Sequence, residues 1–382
     1  MRSKYIKTSF LALVVAALLG LVRCGEPLEP QEAGWVTVAR FPLERNAGVN
    51  SIYTNGYTIW AAVYEYVYPE QVTRTKIMTY AEGEFRVEYE SPPEYKFADL
   101  ADIAFERSGD KGWAVGQKRE GEGSSKPFVL VYEPRAREWK EEDVTGLDEA
   151  AFSKVMPIND KEIWVLIDHS YHSGDHEGLL AKYSNGELNV FKALGPVTAI
   201  YPYTRYSPMT LYAVSYARDG YAPGELPKVY ISADAGASWA EETFPEDLMQ
   251  GRVISRAYAG GAFGPDLYIL IECGNNGWGV VRRTGAPGVG EYELAFLAYG
   301  GPYLTALNSI AFRNPHSPPR GISADGVTVG RDTSVVFDEG TVYLEKLPYA
   351  LDLTAVVLYG GNGFFAVGKN EAFGGWELLY HP

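Results

Sequence analysis

The chain contains 382 residues, of which 46% are apolar, enough material for a sizeable buried core. The 49 acidic residues outnumber the 34 basic residues and give a formal net charge of −15. Binding to a phosphate backbone needs clustered Lys and Arg, so this balance argues against nucleic acid as a partner.

The first residues indicate an export signal. Arg2, Lys4 and Lys7 precede an uncharged apolar run over 10–22. A run of this length is too short for a confident membrane-spanning helix and is typical of a signal peptide. We therefore predict that residues 1–24 direct export and that the folded domain begins after them.

Cys24 ends the apolar run, and the segment 21–24 resembles the lipobox of bacterial lipoproteins. In that family the cysteine becomes the lipid-modified first residue of the mature chain, so the resemblance implies an anchor at Cys24 on the cell envelope. Arg23 departs from the small residue that the family has at this position. Plain secretion and an uncleaved anchor are therefore the alternatives.

The residues after Cys24 predict a tether followed by a single domain. Residues 25–33 are polar and rich in Pro, which suits a flexible linker, and 34–382 would form the domain. The second cysteine, Cys273, has no partner if Cys24 is lipidated. The domain must then be stabilised by its core and not by disulfides.

A unit of roughly fifty residues recurs along the chain, a period typical of propeller blades. The unit is clearest at 99–143, where strand-like runs occupy 99–105, 112–116, 127–132 and 137–140. Gly, Pro and charged residues separate these runs. Each unit is therefore predicted to be a four-stranded antiparallel sheet.

Aromatic residues in the second strand of each unit mark the period. They are Trp60, Trp113, Trp164, Tyr212, Tyr268 and Phe365. The last interval is nearly twice the others, which predicts one more unit with its first strand at 305–312 and its last at 341–347; its middle strands are ambiguous. The sequence thus predicts an all-β fold, a single β-propeller of about seven four-stranded antiparallel blades, with six or eight as alternatives.

The final unit supplies only three strands, at 353–359, 363–368 and 375–380. We expect the segment 34–41 to be its fourth strand, paired antiparallel with 375–380, because sealing the ring removes exposed sheet edges. Strand alternation would place Trp35, Thr37 and Ala39 on one face, and Val36, Val38 and Arg40 on the other. A short candidate helix at 245–252 is expected to be a surface turn.

The segment 232–239 carries a family signature. It resembles the Asp-box, or BNR repeat, of sialidase-like propellers, and its signature residues are Ser232, Asp234, Gly236, Ser238 and Trp239. The resemblance implies a structural turn between third and fourth strands, in which Asp234 accepts backbone N–H bonds and Gly236 takes a positive φ. Residues 323–326 look like a degenerate copy.

The run 112–116 is similar to blades of photosystem-assembly-factor propellers, which occur in many exported bacterial proteins. This likeness implies a module that binds protein or glycan. The arginine clamp and nucleophile pair of sialidases cannot be placed in the chain; the nearest string, 40–42, has the wrong order. A fold without its site is weak evidence for activity, so we predict a non-catalytic protein.

Long connections between second and third strands, at 64–75, 117–126, 168–177 and 217–228, would gather on one face of the propeller. Rigid scaffolds carry function on such loops, and aromatic side chains there can contact sugars or proteins. The binding candidates on and beside these loops are Tyr64, Tyr66, Tyr68, Asp168, His169, Tyr171, His172, Asp175, His176, Tyr216, Asp219, Tyr221 and Trp278.

The third long loop holds His169, His172 and His176 beside acidic residues. Such a set could ligate a transition metal or transfer protons. A solvated hairpin loop explains it more simply, because a metal site needs ligands that converge from a rigid frame. We therefore predict neither a metal nor another cofactor.

These patterns predict a monomeric, exported binding propeller that recognises protein or glycan on the cell envelope through its long loops, with membrane contact only through the lipid anchor. The alternative is a glycoside hydrolase or lyase of the Asp-box class, which would need two facing carboxylates. The candidate acids for that alternative are Glu65, Asp168, Asp175, Asp219 and Glu272.

Overall fold

The computed structural model describes residues between 31 and 382, with gaps. The described ranges are 31–32, 34–44, 46–106, 109–145, 147, 150–168, 178–191, 194–203, 210–215, 225–248, 253–263, 266–274, 277–299, 307–312, 326–330, 333–338, 341–347, 351–359, 363–370, 372 and 374–382. The predicted signal segment, Cys24 and most of the tether lie outside them. Every regular element in these ranges is a β-strand. Within them, none is a helix long and apolar enough to span a membrane.

The N-terminal half of the fold contains an eight-stranded sheet made of two antiparallel meanders. The first meander comprises β3 (Ala47–Thr54), β4 (Ile59–Val67), β5 (Val72–Ala81) and β6 (Glu84–Glu90). The second comprises β7 (Tyr95–Phe105), β8 (Gly112–Glu120), β9 (Lys126–Glu133) and β10 (Glu138–Glu142). A parallel bridge between Thr73 and Phe97 joins the two meanders.

Three four-stranded antiparallel sheets follow in chain order. The first contains β11 (Phe152–Pro157), β12 (Glu162–Ile167), β13 (Leu180–Ser184) and β14 (Glu187–Phe191). The second contains β15 (Val197–Tyr203), β16 (Thr210–Ser215), β17 (Lys228–Ser232) and β18 (Ala240–Thr243). The third contains β19 (Ile254–Phe263), β20 (Asp266–Cys273), β21 (Gly277–Thr284) and β22 (Glu291–Tyr299).

The last two sheets each include a strand from the N-terminal segment. The five-stranded sheet contains β23 (Leu307–Phe312), β24 (Gly326–Gly330), β25 (Thr333–Asp338), β26 (Thr341–Lys346) and, parallel to β26, β1 (Gln31–Glu32). Strands β24 and β25 are the middle strands that the sequence left ambiguous. The closing sheet contains β27 (Leu351–Tyr359), β28 (Gly363–Asn370), β29 (Gly375–His381) and β2 (Val36–Arg40).

Burial explains why the second and fourth strands differ in sequence. The second strand β12 is almost continuously buried along its apolar run, as are the first five residues of β4 and of β8. The fourth strand β6 is exposed along most of its length and is rich in charge. A strand that is covered on both faces needs a continuous apolar run, whereas a strand at an outer edge needs charges that discourage pairing with other chains.

The core lies between neighbouring sheets. One apolar cluster joins Tyr212 and Phe244 to Leu267 and Ile271, across the contact between sheets β15–β18 and β19–β22. Similar clusters join the second meander to sheet β11–β14, and the closing sheet to the first meander. We call these packing surfaces between neighbouring sheets or meanders the seams.

The first strands contact one another in a closed cycle, β3, β7, β11, β15, β19, β23, β27 and β3 again. Each of them carries a bulge-like register shift one residue after an apolar position. These positions are Val49, Leu100, Phe152, Val197, Ile254, Leu307 and Leu353. Bulges bend a strand and increase its twist, which suits the inner ring of such a cycle.

The predicted pairing of the N-terminal segment with the last strand is present, because β2 is antiparallel to β29. The predicted alternation of its faces is wrong. A register shift between Thr37 and Ala39 interrupts the ladder, and Val36, Thr37 and Val38 are all exposed. The flanking residues are instead the anchors: Trp35 and Phe41 are buried.

Two connections predicted as long loops consist in large part of strand residues. The segment 64–75 forms a regular β-hairpin, since β4 extends to Val67 and β5 begins at Val72. In the segment 117–126, β8 continues to Glu120, so that only 121–125 is loop. Alternating Tyr, Thr and Val residues around 64–75 favour strand pairing over an irregular loop. Residues 169–177 and 216–224 of the other two connections lie outside the described ranges.

Candidate functional site

The face on which second strands turn into third strands, which we call the long-loop face, carries the described candidate residues. The β4–β5 hairpin presents two exposed tyrosines there: Tyr66 is 37% exposed and Tyr68 is 72% exposed. Tyr66 belongs to β4, and Tyr68 follows it in the turn. Exposed aromatic rings of this kind are frequent anchors for partners.

The base of this hairpin is rigid. A Cβ atom added to Gly48 would lie 2.3 Å from the ring of Tyr64, so that ring packs directly on the backbone of β3. The backbone N–H of Tyr66 donates to the carbonyl oxygen of Asn46 at 2.9 Å. Tyr64 thus supports the hairpin, whereas Tyr66 and Tyr68 remain accessible to a ligand.

Glu65, one of the candidate acids, is held by an ion pair. Its carboxylate lies 2.8 Å from the ammonium group of Lys76, which is also 3.7 Å from Glu90. Burial alone would lower the pKa of Lys76, but the hydrogen bonds and charges of Glu65 and Glu90 outweigh burial and raise it. Glu65 therefore fixes the hairpin and is not a free acid.

A second polar group lies on the inner ring. The side-chain amide of Asn50 donates to Asp99 Oδ1 at 2.7 Å and to the carbonyl oxygen of Leu100 at 2.8 Å. Burial raises the pKa of Asp99; the hydrogen bond from Asn50 opposes this, and the negative charge of Asp168 raises the pKa further. Asp168 is thus the predicted candidate whose charge acts on the half-buried carboxyl group of Asp99.

Asp102 connects three first strands. Ser51 Oγ donates to its Oδ1 at 2.6 Å, and the backbone N–H of Val155 donates to its Oδ2 at 3.1 Å. The ammonium group of Lys154 lies 3.8 Å from the same carboxylate. Asn50, Asp99 and Asp102 were not predicted as polar residues of this ring. Each lies at or beside the register shift of a first strand, a feature that no residue type marks.

Glu272 and Trp278 are cross-strand neighbours in the β20–β21 hairpin, where Trp278 is half-buried. The candidate acids Glu65, Asp168 and Glu272 lie on three different hairpins. The remaining candidates, His169, Tyr171, His172, Asp175, His176, Tyr216, Asp219 and Tyr221, fall outside the described residues. Among the described ones, no group of three or more His, Cys, Asp or Glu side chains could hold a metal ion.

The turn that resembles an Asp-box has the hydrogen bonds expected of it. Asp234 accepts from the backbone N–H of Ser238 at 2.8 Å and from its hydroxyl at 2.6 Å, and Ser232 Oγ accepts from the backbone N–H of Gly236 at 2.7 Å. These bonds, that of the Ser238 hydroxyl first, lower the pKa of Asp234 to about 2. Gly236 has a φ of 92°, and Trp239 Nε1 donates to its carbonyl oxygen at 3.2 Å.

Sheets that follow one another in a closed cycle of first strands define a β-propeller, the class of protein to which this chain belongs. No protein-family model matches the sequence, and no curated protein matches it. Solved structures do match the fold. At identities near one in ten, these likenesses show the fold alone.

One similar structure is YCF48 bound to D1 peptide: the TM-score is 0.58 at 12% identity, and the match covers 93% of this chain and 98% of that one. BBS1N in complex with ARL6DN matches with a TM-score of 0.50 at 10% identity, over 92% of this chain and 98% of that one. A puromycin-hydrolyzing peptidase of Mycobacterium tuberculosis matches with a TM-score of 0.54 at 11% identity, over 90% of this chain. This chain spans only 52% of that peptidase.

Proposed function

We propose that the protein is a non-catalytic binding propeller that recognises a segment of another protein with its long-loop face. The observation that carries this proposal is the β4–β5 hairpin, which holds Tyr66 and Tyr68 exposed on a base fixed by Tyr64 and by the Glu65–Lys76 ion pair. Rigid, exposed aromatic side chains contribute strongly to binding because little conformational entropy is lost when a partner covers them.

The fold comparison supports this function. YCF48 with its D1 peptide and BBS1N with ARL6DN are propellers that hold a peptide or a protein. We transfer from them only the kind of ligand, a polypeptide. At this sequence identity, their binding residues cannot be matched to residues of this chain. A glycan is the other ligand that exposed tyrosines would suit, and the experiment below separates the two.

We also propose that the ring has seven four-stranded blades. The closed cycle of first strands and the register shift that each of them carries support this count. In it, the eight-stranded sheet supplies two blades, β3–β6 and β7–β10, joined by the single bridge at Thr73 and Phe97. Strand β1 is an addition to the edge of β26.

We propose further that the chain is exported and anchored by a lipid on Cys24. The positive residues, the apolar run and the lipobox-like segment 21–24 support this. Wild-type protein should partition with membranes, and Cys24→Ala should release it into the soluble fraction. Recovery of the wild-type chain in the soluble fraction, with a mature N-terminus at another residue, would contradict the anchor.

The test of binding compares exposed tyrosines at opposite ends of β4: Tyr66 and Tyr68 at one end, and Tyr57 at the other. Purified protein is screened on arrays of envelope-protein peptides and of glycans, and hits are measured by titration. We expect peptide hits that the double variant Tyr66→Ser/Tyr68→Ser weakens by at least about tenfold. The matched control is Tyr57→Ser, which removes a tyrosine that is 83% exposed at the other end of the strand. Glycan hits alone, or peptide binding that survives the double variant, would overturn the proposal.

The second candidate function is a glycoside hydrolase, and the relevant observation is that Asp99 is half-buried, accepts a hydrogen bond from Asn50 and is influenced by the charge of Asp168. Glycoside hydrolases use two carboxyl groups, one of which has a raised pKa, and burial raises the pKa of Asp99 with a further contribution from the charge of Asp168. If this were the function, the protein would hydrolyse nitrophenyl glycosides and Asp99→Asn would abolish the activity. Absence of hydrolysis across such a substrate panel would contradict this second function, and only the binding function would remain.

A further inference from the structure

A pocket of about 240 Å³ opens at the end of the eight-stranded sheet opposite the long-loop face. Both meanders line it: Trp60, Arg86 and Glu88 come from the first, and Tyr132 and Arg137 from the second. We call it the rim pocket. The proposed function does not use it, because β4 separates it from Tyr66 and Tyr68 by most of a nine-residue strand.

Aromatic rings form the inner wall of the rim pocket. Trp60 is only 8% exposed, and its ring lies 4.5 Å from that of Phe105, which in turn lies 5.7 Å from Tyr132. These rings are packed against one another and cannot rotate away. Because Trp60 exposes little of its ring, half-buried Tyr132 provides the accessible aromatic surface of this wall, and the rings packed behind it fix its position.

Charged side chains form the outer wall, and their charges balance. Glu84 and Glu88 supply two carboxylates, and Arg86 and Arg137 supply two guanidinium groups. Thr79 Oγ1 donates to Glu88 at 3.1 Å, and Arg86 lies 3.6 Å from Glu84. Arg137 lies in the β9–β10 turn with a φ of 54°, and within the described ranges it forms no ion pair.

This chemistry selects a class of ligand. An anion would face Glu84 and Glu88, and a cation would face Arg86 and Arg137, so neither is favoured. A hydroxyl group both donates and accepts, and therefore matches neighbouring carboxylate and guanidinium groups. The volume lies below the roughly 300 Å³ at which pockets for drug-sized ligands begin, which suits one small ring. We propose that the rim pocket binds a pyranose unit of a neutral glycan, with its C–H face on the aromatic wall.

The rim offers a platform for a second sugar unit. Tyr57 is 83% exposed and directly precedes Thr58, which lines the pocket. Its turn is held by Asn55 Oδ1, which accepts from the backbone N–H groups of Tyr57 and Thr58, each at 3.0 Å. An exposed ring on a fixed turn beside a pocket for one sugar indicates that the ligand is an oligosaccharide and not a free monosaccharide.

The experiment titrates the full chain with neutral trisaccharides of glucose, mannose, galactose and N-acetylglucosamine, and in parallel with trigalacturonic acid and with acidic and basic peptides. We expect at least one neutral trisaccharide to bind. Arg137→Asn should weaken the binding of that trisaccharide about tenfold, because a charge-assisted hydrogen bond is lost. Asn is chosen because it tolerates the positive φ at this position. Glu88→Gln should weaken it similarly and serves if the first variant is unstable.

The matched control is Arg135→Asn, which removes the same charge from the same exposed turn at a residue outside the pocket lining. It should bind as the wild type does, as should Tyr66→Ser/Tyr68→Ser, whose loss of peptide binding tests the other face. Three results would overturn the proposal. No neutral trisaccharide binds, or trisaccharide binding survives both pocket variants, or only the charged probes bind in a way that Arg137→Asn weakens.

Discussion

The seams and the long-loop face use polar side chains in opposite ways. In the seam between β18 and β21, Arg283 is fully buried and forms a two-bond pair with Glu242, with N–O distances of 2.9 Å and 2.7 Å. On the long-loop face, Tyr66 and Tyr68 are exposed and the Glu65–Lys76 pair is partly open to solvent.

The buried pair also organises the loop after β21. Glu242 accepts from the backbone N–H of Gly288 at 2.7 Å and from the hydroxyl of Tyr292 at 2.8 Å, and Arg283 donates to the carbonyl oxygen of Ala286 at 2.6 Å. Burial alone would raise the pKa of Glu242, but the hydrogen bonds from Arg283 and Tyr292 lower it. The comparison indicates that buried polar pairs in the seams stabilise the ring. The exposed tyrosines of the long-loop face are not needed for that and remain accessible.

The largest effect is expected where the ring closes. Deleting 34–41 removes β2, the buried Trp35 and Phe41, and the hydrogen bond from Trp35 Nε1 to Ser334 Oγ at 3.0 Å. The edge of β29 is then exposed, and we expect loss of cooperative thermal unfolding, followed by circular dichroism, together with aggregation. A chain lacking 25–30 is the control and should melt normally. A 34–41 deletion that melts like the intact protein would disprove the closure.

The next largest effect concerns the buried pair. Arg283→Met leaves Glu242 buried without its partner, so the free energy of unfolding should fall by about 3–5 kcal/mol. Denaturant titration measures this. The control is Arg86→Met, whose side chain is 68% exposed beside Glu84 and should change stability by at most about 1 kcal/mol. Equal losses of unfolding free energy in the two variants would show that burial of the Arg283–Glu242 pair does not increase its contribution to stability.

The repeated parts of the fold were predictable because each depends on a local pattern. All six aromatic markers of the second strands lie in second strands and are buried: Trp60, Trp113, Trp164, Tyr212, Tyr268 and Phe365. Apolar runs between turn residues are sufficient to place such strands. The pairing of β2 with β29 was likewise predictable from a strand pattern without a partner.

Features that depend on neighbouring sheets were not predictable. The register shifts fall at residues of different types, Asn50, Ala101 and Ser153 among them, so no residue type marks them. Asp99 was interpreted as an ordinary strand residue, because its pKa is changed first by burial and then by groups distant in sequence, Asn50 in β3 and Asp168 after β12. For the candidate site, the sequence grouped Tyr64, Tyr66 and Tyr68 together, but it did not predict the hairpin that packs Tyr64 on Gly48 and leaves Tyr66 and Tyr68 exposed.

A smaller effect is expected in the seam between sheets β11–β14 and β15–β18. At Gly236, an added Cβ would lie 2.6 Å from Trp164 Cζ2, and φ is +92°. Gly236→Ala should therefore lower the free energy of unfolding by about 2–4 kcal/mol, from strain and overpacking together. Gly83→Ala isolates the strain, because φ is +88° there but nothing lies within 4 Å of the added atom. Similar losses at both sites would mean that the contact with Trp164 is unimportant.

The same turn predicts a modest dependence on pH. The folded pKa of Asp234 is lowered from 3.8 to about 2, so its ionised form stabilises the fold above about pH 4, and this contribution is lost as the pH falls toward 2. The melting temperature of the wild type should exceed that of Asp234→Asn at neutral pH, and the gap should close between about pH 4 and pH 2. A gap that is constant over this range would show that ionisation of Asp234 is irrelevant.

The smallest effect on stability is expected on the long-loop face, where Tyr66→Ser/Tyr68→Ser should change the free energy of unfolding by no more than about 0.5 kcal/mol. Both rings are already exposed, so their removal uncovers little apolar surface. Tyr64→Ser is the matched comparison in the same strand: it empties the space over Gly48 and should cost about 1–3 kcal/mol. Denaturant titration of the three proteins decides the matter. If the double variant were as unstable as Tyr64→Ser, the two exposed tyrosines would stabilise the fold. The long-loop face would then not differ from the seams at the residues proposed to bind a partner.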